Sequence, residues 1–340
     1  MTKIENITQI LRDEVSKRLI DKDLFLPTEK ELCSRFNCSR QTIRKVLNNL
    51  KDDKLITSRQ GSGYKLTGLS PNAKRNHVCL LFSRPDDYIY PALIYDIEKG
   101  ISSGQDFPMT VSVFETGADF YKERKILKEL LKNPPLAILS ECFSTMQSPN
   151  ADLYKELESK GCATIFLYGT YRNMADFPSI SEGTFDAVYN LVEKLIKSGH
   201  HKIGGVFMDN NPRNSHGLYG FISALRDNDL SFGKDRFLIA SPEVDLYALS
   251  SLCRECDALI FCSDEIAYPC VRYLLEQRLI DLGIKPVYSF DNSYLSQTGS
   301  FKLPSLFHVR ESLAMAISER ILSIIKGQPR ISIVLPYQPV

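Results

Sequence analysis

The sequence predicts an α/β protein of two domains, the larger of which contains two doubly wound parallel sheets. At 340 residues the chain exceeds the usual size of a single domain. Residues 1–66 show helical apolar spacing followed by a glycine-rich turn, whereas from Val78 onward short apolar runs alternate with amphipathic helical patterns. Strands separated by helix-length crossovers indicate parallel sheets covered by helices on both faces.

Two helix starts follow one another closely in the segment 26–66. Thr28 and Glu31, after Pro27, form a Thr-x-x-Glu capping box that satisfies the free amide hydrogens of a helix start. The first helix is predicted to end at Asn37, and Ser39 is a second good N-cap. A short helix, a break and a second helix are typical of a helix-turn-helix.

The second helix of this pair is amphipathic, and its polar arc is basic. Its apolar residues are Ile43, Val46, Leu47 and Leu50, and its polar arc holds Arg40, Gln41, Arg44 and Lys45. Two strand-like runs then surround the Gly-Ser-Gly tip at 61–63. Glycine lets the backbone approach a phosphate closely, so the tip suits the wing of a winged helix-turn-helix.

These motifs resemble the signature of the GntR family of bacterial transcription factors. The matching segments are Leu-Pro-Thr-Glu at 26–29, Ser-Arg-Gln-Thr-Ile-Arg at 39–44 and Gln-Gly-Ser-Gly at 60–63. The resemblance implies contact with double-stranded operator DNA. The implied DNA-binding residues are Lys30, Ser39, Arg40, Gln41, Thr42, Arg44, Lys45, Gln60 and Gly61. The alternative is a capped helical pair with an ordinary solvated basic face.

Charge is distributed unevenly along the chain. Residues 1–76 contain sixteen Lys or Arg against nine Asp or Glu, a balance of +7, whereas the remainder carries −6. Positive charge is therefore concentrated in the predicted DNA-binding domain, where release of counterions from phosphates favours binding.

Cysteine usage and the start of the sequence concern the cellular compartment. Nine cysteines, an odd number without a short repeating framework, favour a reducing environment over a disulfide scaffold. The sequence after Met1 lacks the apolar region of a signal peptide, and no apolar run approaches membrane-spanning length. We therefore expect a cytoplasmic protein.

The pattern along the chain divides it into three parts. We expect a DNA-binding domain at 1–68, a linker at 69–76 and a larger α/β domain at 77–340, whose two lobes connect near 172–182 and 292–310. Predicted strands are 78–82, 109–114, 136–139, 163–167, 203–208, 237–239, 258–262, 286–290, 306–309 and 331–335. Predicted helices with assigned bounds are 4–19, 91–103, 120–131, 150–160 and 311–326, and a further helix ends at 197–200.

Four motifs in the larger domain occur in the order found in the sugar-binding domains of LacI-type regulators, which are similar to periplasmic binding proteins. They lie at 197–203, 220–225, 262–267 and 288–293. The pairing of a GntR-type domain with a LacI-type domain resembles the arabinose repressors of Gram-positive bacteria. This resemblance implies that residues 77–340 form an effector-binding and dimerisation domain that holds a homodimer together, and that the effector is a sugar such as arabinose or a related sugar.

The resemblance also places candidate effector-binding residues at the carboxyl ends of predicted strands, beside the cleft. They are Tyr88, Tyr90, Glu141, Tyr168, Asp209, Ser263, Asp264, Asp291 and His308, and Arg213 and His216 are two further candidates. Carboxylates would hold sugar hydroxyls while aromatic rings stack on the sugar. Alternatively, any one tyrosine is a half-buried packing residue, and Asp264 is the N-cap of the helix that begins at Glu265.

One position departs from the LacI-type pattern. The family usually has an arginine three residues before the glycine of the Gly220-Phe221 pair, and here that position is Gly217. Either Arg213 or His216 reaches into the cleft instead, or the effector differs from a simple free sugar, or the pocket has lost its usual chemistry.

Motifs of catalysis are missing from the sequence. It contains no Walker-type loop and no Gly-x-Ser-x-Gly elbow, and the Cys253–Cys256 pair has no second pair at zinc-site spacing. We therefore expect no catalytic set, no cofactor and no metal. The prediction is a sugar-responsive repressor of carbohydrate-utilisation genes that an effector releases from a palindromic operator. The alternative is a sugar-acting α/β enzyme with an N-terminal tethering module; a free sugar receptor conflicts with the missing export signal.

Overall fold

The structure, a computed structural model, divides the chain into two compact units, residues 1–77 and 78–340. It describes residues 3–4, 6–8, 10–11, 14, 25–52, 56–59, 63–66, 77–103, 109–209, 211–241, 243–307, 310–325 and 331–338. Three predicted site residues, Gln60, Gly61 and His308, lie outside the described residues, as do the predicted linker at 69–76 and residues 15–19 of the predicted first helix.

The first unit contains the predicted helical pair and a two-stranded antiparallel sheet. Its elements are α1 (Glu29–Phe36), α2 (Arg40–Asp52), β1 (Ile56–Arg59) and β2 (Gly63–Leu66). The capping box is confirmed, because the Thr28 N–H donates to the Glu31 carboxylate at 2.8 Å and the Glu31 N–H donates to the Thr28 hydroxyl at 3.3 Å. Asn37, with φ of 44°, ends α1 in the left-handed conformation.

The core of this unit combines the apolar faces of α1 and α2 with apolar residues outside these two helices. Its buried residues are Ile7, Leu11, Leu26, Leu32, Ile43, Val46, Leu47, Leu50 and Ile56. The helical spacing read from the sequence therefore gives the buried face of α2, and the basic arc remains exposed.

The second unit contains two sheets, each with helices on both faces. Its helices are α3 (Tyr90–Ser103), α4 (Phe120–Lys132), α5 (Ala151–Ser159), α6 (Thr184–Lys197), α7 (Pro212–Asp227), α8 (Leu246–Glu255), α9 (Asp264–Glu276), α10 (Tyr294–Thr298) and α11 (Arg310–Ile325). Its strands are β3 (His77–Phe82), β4 (Thr110–Glu115), β5 (Ala137–Glu141), β6 (Ala163–Leu167), β7 (Ser179–Glu182), β8 (Ile203–Phe207), β9 (Phe237–Ile239), β10 (Ala258–Phe261), β11 (Val287–Phe290), β12 (Ser305–Leu306) and β13 (Ile333–Leu335).

The first lobe is the six-stranded sheet β13-β7-β6-β5-β3-β4 with its helices, and the second lobe is the five-stranded sheet β12-β11-β10-β8-β9 with its helices. Neighbouring strands pair in parallel, for example β5 with β6 and β8 with β10. Helices α3 and α11 cover one face of the first sheet, and α4 and α5 cover the other. In the second lobe, α6 and α7 lie opposite α8 and α9. The predicted doubly wound α/β fold is confirmed.

Two strands at the edge of the first sheet show where sequence patterns stop being informative. Strand β7 was not predicted, because Ser-Ile-Ser-Glu has too little apolar character; it forms by pairing with β6 on one side and β13 on the other. Strand β13 was predicted, but its place in the first lobe was not. We call residues 331–338, which include β13, the C-terminal strap.

Within the described part of the chain, no helix is both long and apolar enough to cross a membrane.

Candidate functional site

The exposed face of α2 is the candidate DNA-binding surface of the first unit. Arg40, Gln41, Arg44 and Lys45 are all exposed, as is Lys30 on α1. The Ser39 hydroxyl accepts the Thr42 N–H at 3.2 Å and fixes the start of α2. The structure therefore presents the predicted basic residues together, while their role in binding DNA stays a prediction.

Glu29 links three elements of this surface and was not singled out from the sequence. Its carboxylate accepts the Tyr64 hydroxyl at 2.9 Å and lies 3.2 Å from Nε of Arg44. The Tyr64 hydrogen bond, followed by Arg44, lowers the pKa of the Glu29 carboxyl. Glu29 thus holds Arg44 of α2 against a residue of strand β2, and orients its guanidinium at the exposed face.

In the second unit, polar residues from both lobes meet at the carboxyl ends of the parallel strands. At the centre, the guanidinium of Arg213 forms ion pairs with Glu182 and Asp291. The three side chains are 11%, 1% and 2% exposed, respectively. Glu182 ends β7 of the first lobe, whereas Arg213 and Asp291 belong to the second lobe, so this buried cluster joins the lobes.

Two tyrosines of the first lobe complete the surroundings of this cluster. The Tyr88 hydroxyl donates to Asp291 at 2.7 Å, and the guanidinium carbon of Arg213 lies 5.5 Å from the centre of the Tyr168 ring. Burial raises the pKa of the Asp291 carboxyl, and the adjacent Arg213 guanidinium opposes that rise. Carboxylates, a guanidinium and an aromatic face are the groups with which proteins bind sugar hydroxyls and sugar rings.

The backbone of this site is unusual. Tyr168 and Asp291 have φ of 72° and 97°, values that cost a residue with a side chain about 1–3 kcal/mol. Gly169, with φ of 130°, adjoins the first turn of α7, because a Cβ there would lie 2.9 Å from Cβ of Pro212. Such conformations cluster at sites of function, and here they aim Tyr168 and Asp291 toward Arg213.

Glu141 is the centre of a second polar group in the first lobe. Its carboxylate accepts the Ser83 N–H and hydroxyl, both at 2.7 Å, and the Tyr90 hydroxyl at 2.9 Å. Glu141 is 4% exposed. These donors hold the carboxylate at the carboxyl end of β5, beside the predicted cleft.

A more exposed ion pair also bridges the lobes. Both terminal nitrogens of Arg84, in the loop after β3, donate to the Glu265 carboxylate of α9, at 2.8 and 2.9 Å. This bidentate geometry gives orientation as well as energy.

Gly217 stands where the LacI-type pattern usually has an arginine. A Cβ at Gly217 would lie 3.3 Å from Cγ2 of Thr184, so α6 and α7 pack closely at this position. Arg213 lies one helical turn earlier on α7 and supplies the guanidinium from there. His216 is exposed, and in the described structure no hydrogen bond or ion pair joins it to the cluster.

Three other predicted residues have local partners. Ser263, not Asp264, is the N-cap of α9, since its hydroxyl accepts the Ile266 N–H at 3.3 Å; the alternative N-cap interpretation of Asp264 was wrong. Asp264 is buried and accepts hydrogen bonds from Ser289 and Ser293, which hold the loop after β11. Asp209 is exposed and accepts the hydroxyl of Ser215 on α7.

Glu182, Tyr337, Ser83 and Arg84 join the polar groups without having been predicted. Glu182 was not predicted because strand β7, which it ends, was not predicted. Ser83 and Arg84 directly follow β3, and this position at the carboxyl end of a parallel strand is the sequence signal that could have identified them. Nothing in the local sequence indicates that Tyr337, in the C-terminal strap, reaches the cluster. Its hydroxyl donates to Glu182 at 2.8 Å and accepts from Arg213 at 3.1 Å.

Comparison with known proteins concerns both units. The family model of bacterial regulatory proteins of the gntR family matches residues 3–66. The N-terminal unit is a GntR-type domain. Over almost the whole chain, the arabinose metabolism transcriptional repressor of Halalkalibacterium halodurans is 22% identical, and the match covers 96% of this chain and 90% of the repressor. The repressor of the same description from Geobacillus stearothermophilus is 21% identical, covering 88% and 85%.

The unit that follows the GntR-type domain has the fold of LacI-type regulators. A LacI transcriptional regulator of Alkaliphilus metalliredigens in complex with D-xylulofuranose has a TM-score of 0.65 at 17% identity, covering 78% of this chain and 97% of its own. The regulator CelR in complex with cellobiose has a TM-score of 0.66 at 14% identity, covering 92% and 98%. At these identities the similarity shows the fold alone. All four of these similar proteins are described as transcriptional regulators or repressors.

Proposed function

We propose that the chain is a sugar-responsive DNA-binding transcription regulator, a repressor of carbohydrate-utilisation genes. The observation that carries the proposal is the presence, in one chain, of a GntR-type domain with an exposed basic helix and of a two-lobed unit with a buried polar cluster between its lobes. The first supplies a surface for duplex DNA, and the second supplies a site whose occupancy can change the lobes.

The chemistry of the cluster favours a carbohydrate effector. Asp291, Glu182 and Arg213 can each engage two hydroxyls, and the Tyr168 ring offers an aromatic face. Two relatives that cover 88% or more of this chain are named for arabinose metabolism, and two structures of similar fold contain D-xylulofuranose and cellobiose. Arabinose or a related sugar is therefore the first candidate, with Tyr88, Tyr90 and Glu141 as further contacts.

The contacts between the lobes suggest how a sugar acts. Tyr88–Asp291, Arg213–Glu182 and Arg84–Glu265 all join the first lobe to the second. A sugar that binds among these groups replaces or reinforces them, and so favours one arrangement of the lobes over another. A ligand changes DNA affinity only through such differential binding to two states. In the proposed repressor, the sugar-bound state is the one that releases the operator.

Symmetry and compartment follow from the same proposal. Two copies of the chain in a dimer present two α2 helices to the half-sites of a pseudopalindromic operator, whose spacing matches that of the helices. The second unit supplies most of the dimer contacts in this proposal. A regulator that binds the bacterial chromosome acts in the cytoplasm.

Selection from a random duplex library tests the DNA-binding half of the proposal. The full chain is immobilised, and bound DNA is recovered and sequenced over several rounds at moderate salt. Enrichment of a sequence with two related half-sites is the expected result. Recovery of unenriched sequence from the full chain would contradict the proposed function.

A further inference from the structure

The C-terminal strap is joined to the part of the first lobe that carries Glu182. Strand β13 pairs in parallel with β7, with Leu335 beside Glu182 in the register. The Gly183 N–H also donates to the Leu335 carbonyl at 2.8 Å. The strap and Glu182 therefore share one hydrogen-bonded strand pair at the connection to α6.

Beyond Leu335 the strap passes to the second lobe. The ring of Tyr337 packs edge-on against Phe290, with centroids 5.4 Å apart and planes at 85°. The Gln338 N–H then donates to the Phe307 carbonyl at 2.7 Å. Phe290 directly precedes Asp291, so the Tyr337 ring is fixed against the strand that presents Asp291 to the cluster.

The hydroxyl of Tyr337 completes the surroundings of Arg213. It donates to Glu182 at 2.8 Å and accepts from Nη2 of Arg213 at 3.1 Å, and the same Nη2 contacts Asp291. A guanidinium is planar and directs its N–H groups in fixed directions, so each further acceptor narrows the orientations that it can adopt. Tyr337 and the two carboxylates together define the plane of Arg213.

We propose that Tyr337 is a positioning residue of the effector site, through which the C-terminal strap orients Arg213 for the sugar. The inference rests on the proposed function. Holding Arg213 in the binding geometry before the sugar arrives lowers the entropic cost of binding, because the side chain is already ordered. Without the hydroxyl, Arg213 keeps both carboxylates but loses one of the two acceptors of its Nη2.

Tyr337 also lines a cavity on the side of α6. A cavity of about 570 Å³ lies between α6 and the strap. It is lined by residues that include Asp186, Asn190, Lys194, Leu306 and Tyr337. The Tyr337 side chain therefore lines this cavity and also contacts Arg213 of the cluster.

Two phenylalanine variants separate positioning from stability. Tyr337→Phe removes the hydroxyl and keeps the ring against Phe290. Tyr154→Phe is the matched control: its buried hydroxyl also has two partners, Glu123 and Ser140, both at 2.7 Å, in the helix-covered core of the first lobe. Each variant loses one hydroxyl group and its two hydrogen bonds, but of the two tyrosines only Tyr337 contacts Arg213.

Calorimetric titration of the full-length variants with L-arabinose, D-xylose, D-ribose, D-glucose, D-galactose and cellobiose gives the decisive comparison. For the sugars that bind the wild type, we expect Tyr337→Phe to raise the dissociation constant roughly three- to tenfold. Tyr154→Phe should change it less than twofold while lowering the melting temperature. An unchanged dissociation constant in Tyr337→Phe, or an equal rise in both variants, overturns the inference. Failure of every sugar to bind the wild type contradicts the proposed effector class itself, and the inference with it.

Discussion

Arg213 on α7 and Asp291 after β11 form an ion pair in which the two side chains are 11% and 2% exposed. Glu182 pairs with the same guanidinium from the first lobe. Two carboxylates around one guanidinium give the buried cluster more negative than positive charge. Burial raises the pKa of the Asp291 carboxyl. Arg213 is therefore the group on which the charge balance of the site depends.

Removal of Arg213 should destabilise the second unit. Arg213→Ala leaves Glu182 and Asp291 buried without a cation, and breaking a buried pair in this way costs about 3–5 kcal/mol. Urea denaturation measures the loss. The control is Arg272→Ala, which breaks the exposed pair with Glu276 and should change stability little. Equal losses in the two variants would show that the buried cluster has no special energetic role.

The backbone at Gly169 should tolerate no side chain. Gly169→Ala places a Cβ 2.9 Å from Pro212 at φ of 130°, so it combines a clash at the start of α7 with strain of roughly 1–3 kcal/mol. Gly199→Ala is the control, because Gly199 has φ of 94° but no atom within 4 Å of a Cβ. We expect a larger fall in melting temperature for Gly169→Ala, and weaker sugar binding only in that variant. A larger fall for Gly199→Ala would contradict the close approach of Gly169 and α7.

Helix α2 gives a prediction that concerns DNA binding alone. Arg44→Ala should weaken binding to the selected duplex roughly 5- to 150-fold, the range for loss of a specific contact, and should leave sugar binding unchanged. Fluorescence anisotropy and calorimetry on one preparation measure the two affinities. Lys132→Ala removes one charge from the exposed pair with Glu129 in the second unit and is the control. Equal DNA affinities in the two variants would remove Arg44 from the DNA-binding surface.

The buried Glu123 predicts a pH dependence of stability. Burial raises the pKa of its carboxyl, and hydrogen bonds from Asn150 and Tyr154 oppose that rise. A carboxyl whose pKa is higher in the folded state binds protons preferentially there, so its contribution to stability increases as the pH falls toward the unfolded-state value. Glu123→Gln removes this titration. We therefore expect the melting temperature of the variant, relative to wild type, to be highest at pH 7 and to decline toward pH 5; a difference independent of pH would contradict the assignment.

The sequence predicts the elements with strong periodicity and fails where tertiary pairing decides. Helix α2 shows its buried face through Ile43, Val46 and Leu47, and β6 is apolar at every position but Thr164, so both were placed from pattern alone. Strand β7 has no such pattern, and Glu182 was missed with it. Asp291 could be predicted because ligands usually bind at the carboxyl ends of parallel strands.

Tyr337 is the plainest example of a site residue that local sequence patterns do not predict. Its partners Glu182 and Arg213 lie 155 and 124 residues away along the chain, and no local spacing encodes such a contact. Glu29 is a smaller instance, since its contact with Tyr64 depends on the packing of α1 against the strand after the wing. Residues that act by holding another functional residue are visible only once the fold brings the two together.

In the proposed regulator, a sugar bound in the cluster changes the affinity of the chain for DNA. The most direct test of this effect is the dissociation constant of the selected duplex, measured by anisotropy with and without saturating L-arabinose and the other sugars of the panel, for wild type and Asp291→Asn. We predict that at least one sugar weakens wild-type binding by about fivefold or more, and that Asp291→Asn binds the duplex normally but loses most of the response. Sugars that bind the wild-type chain yet leave its affinity for DNA unchanged would contradict the account.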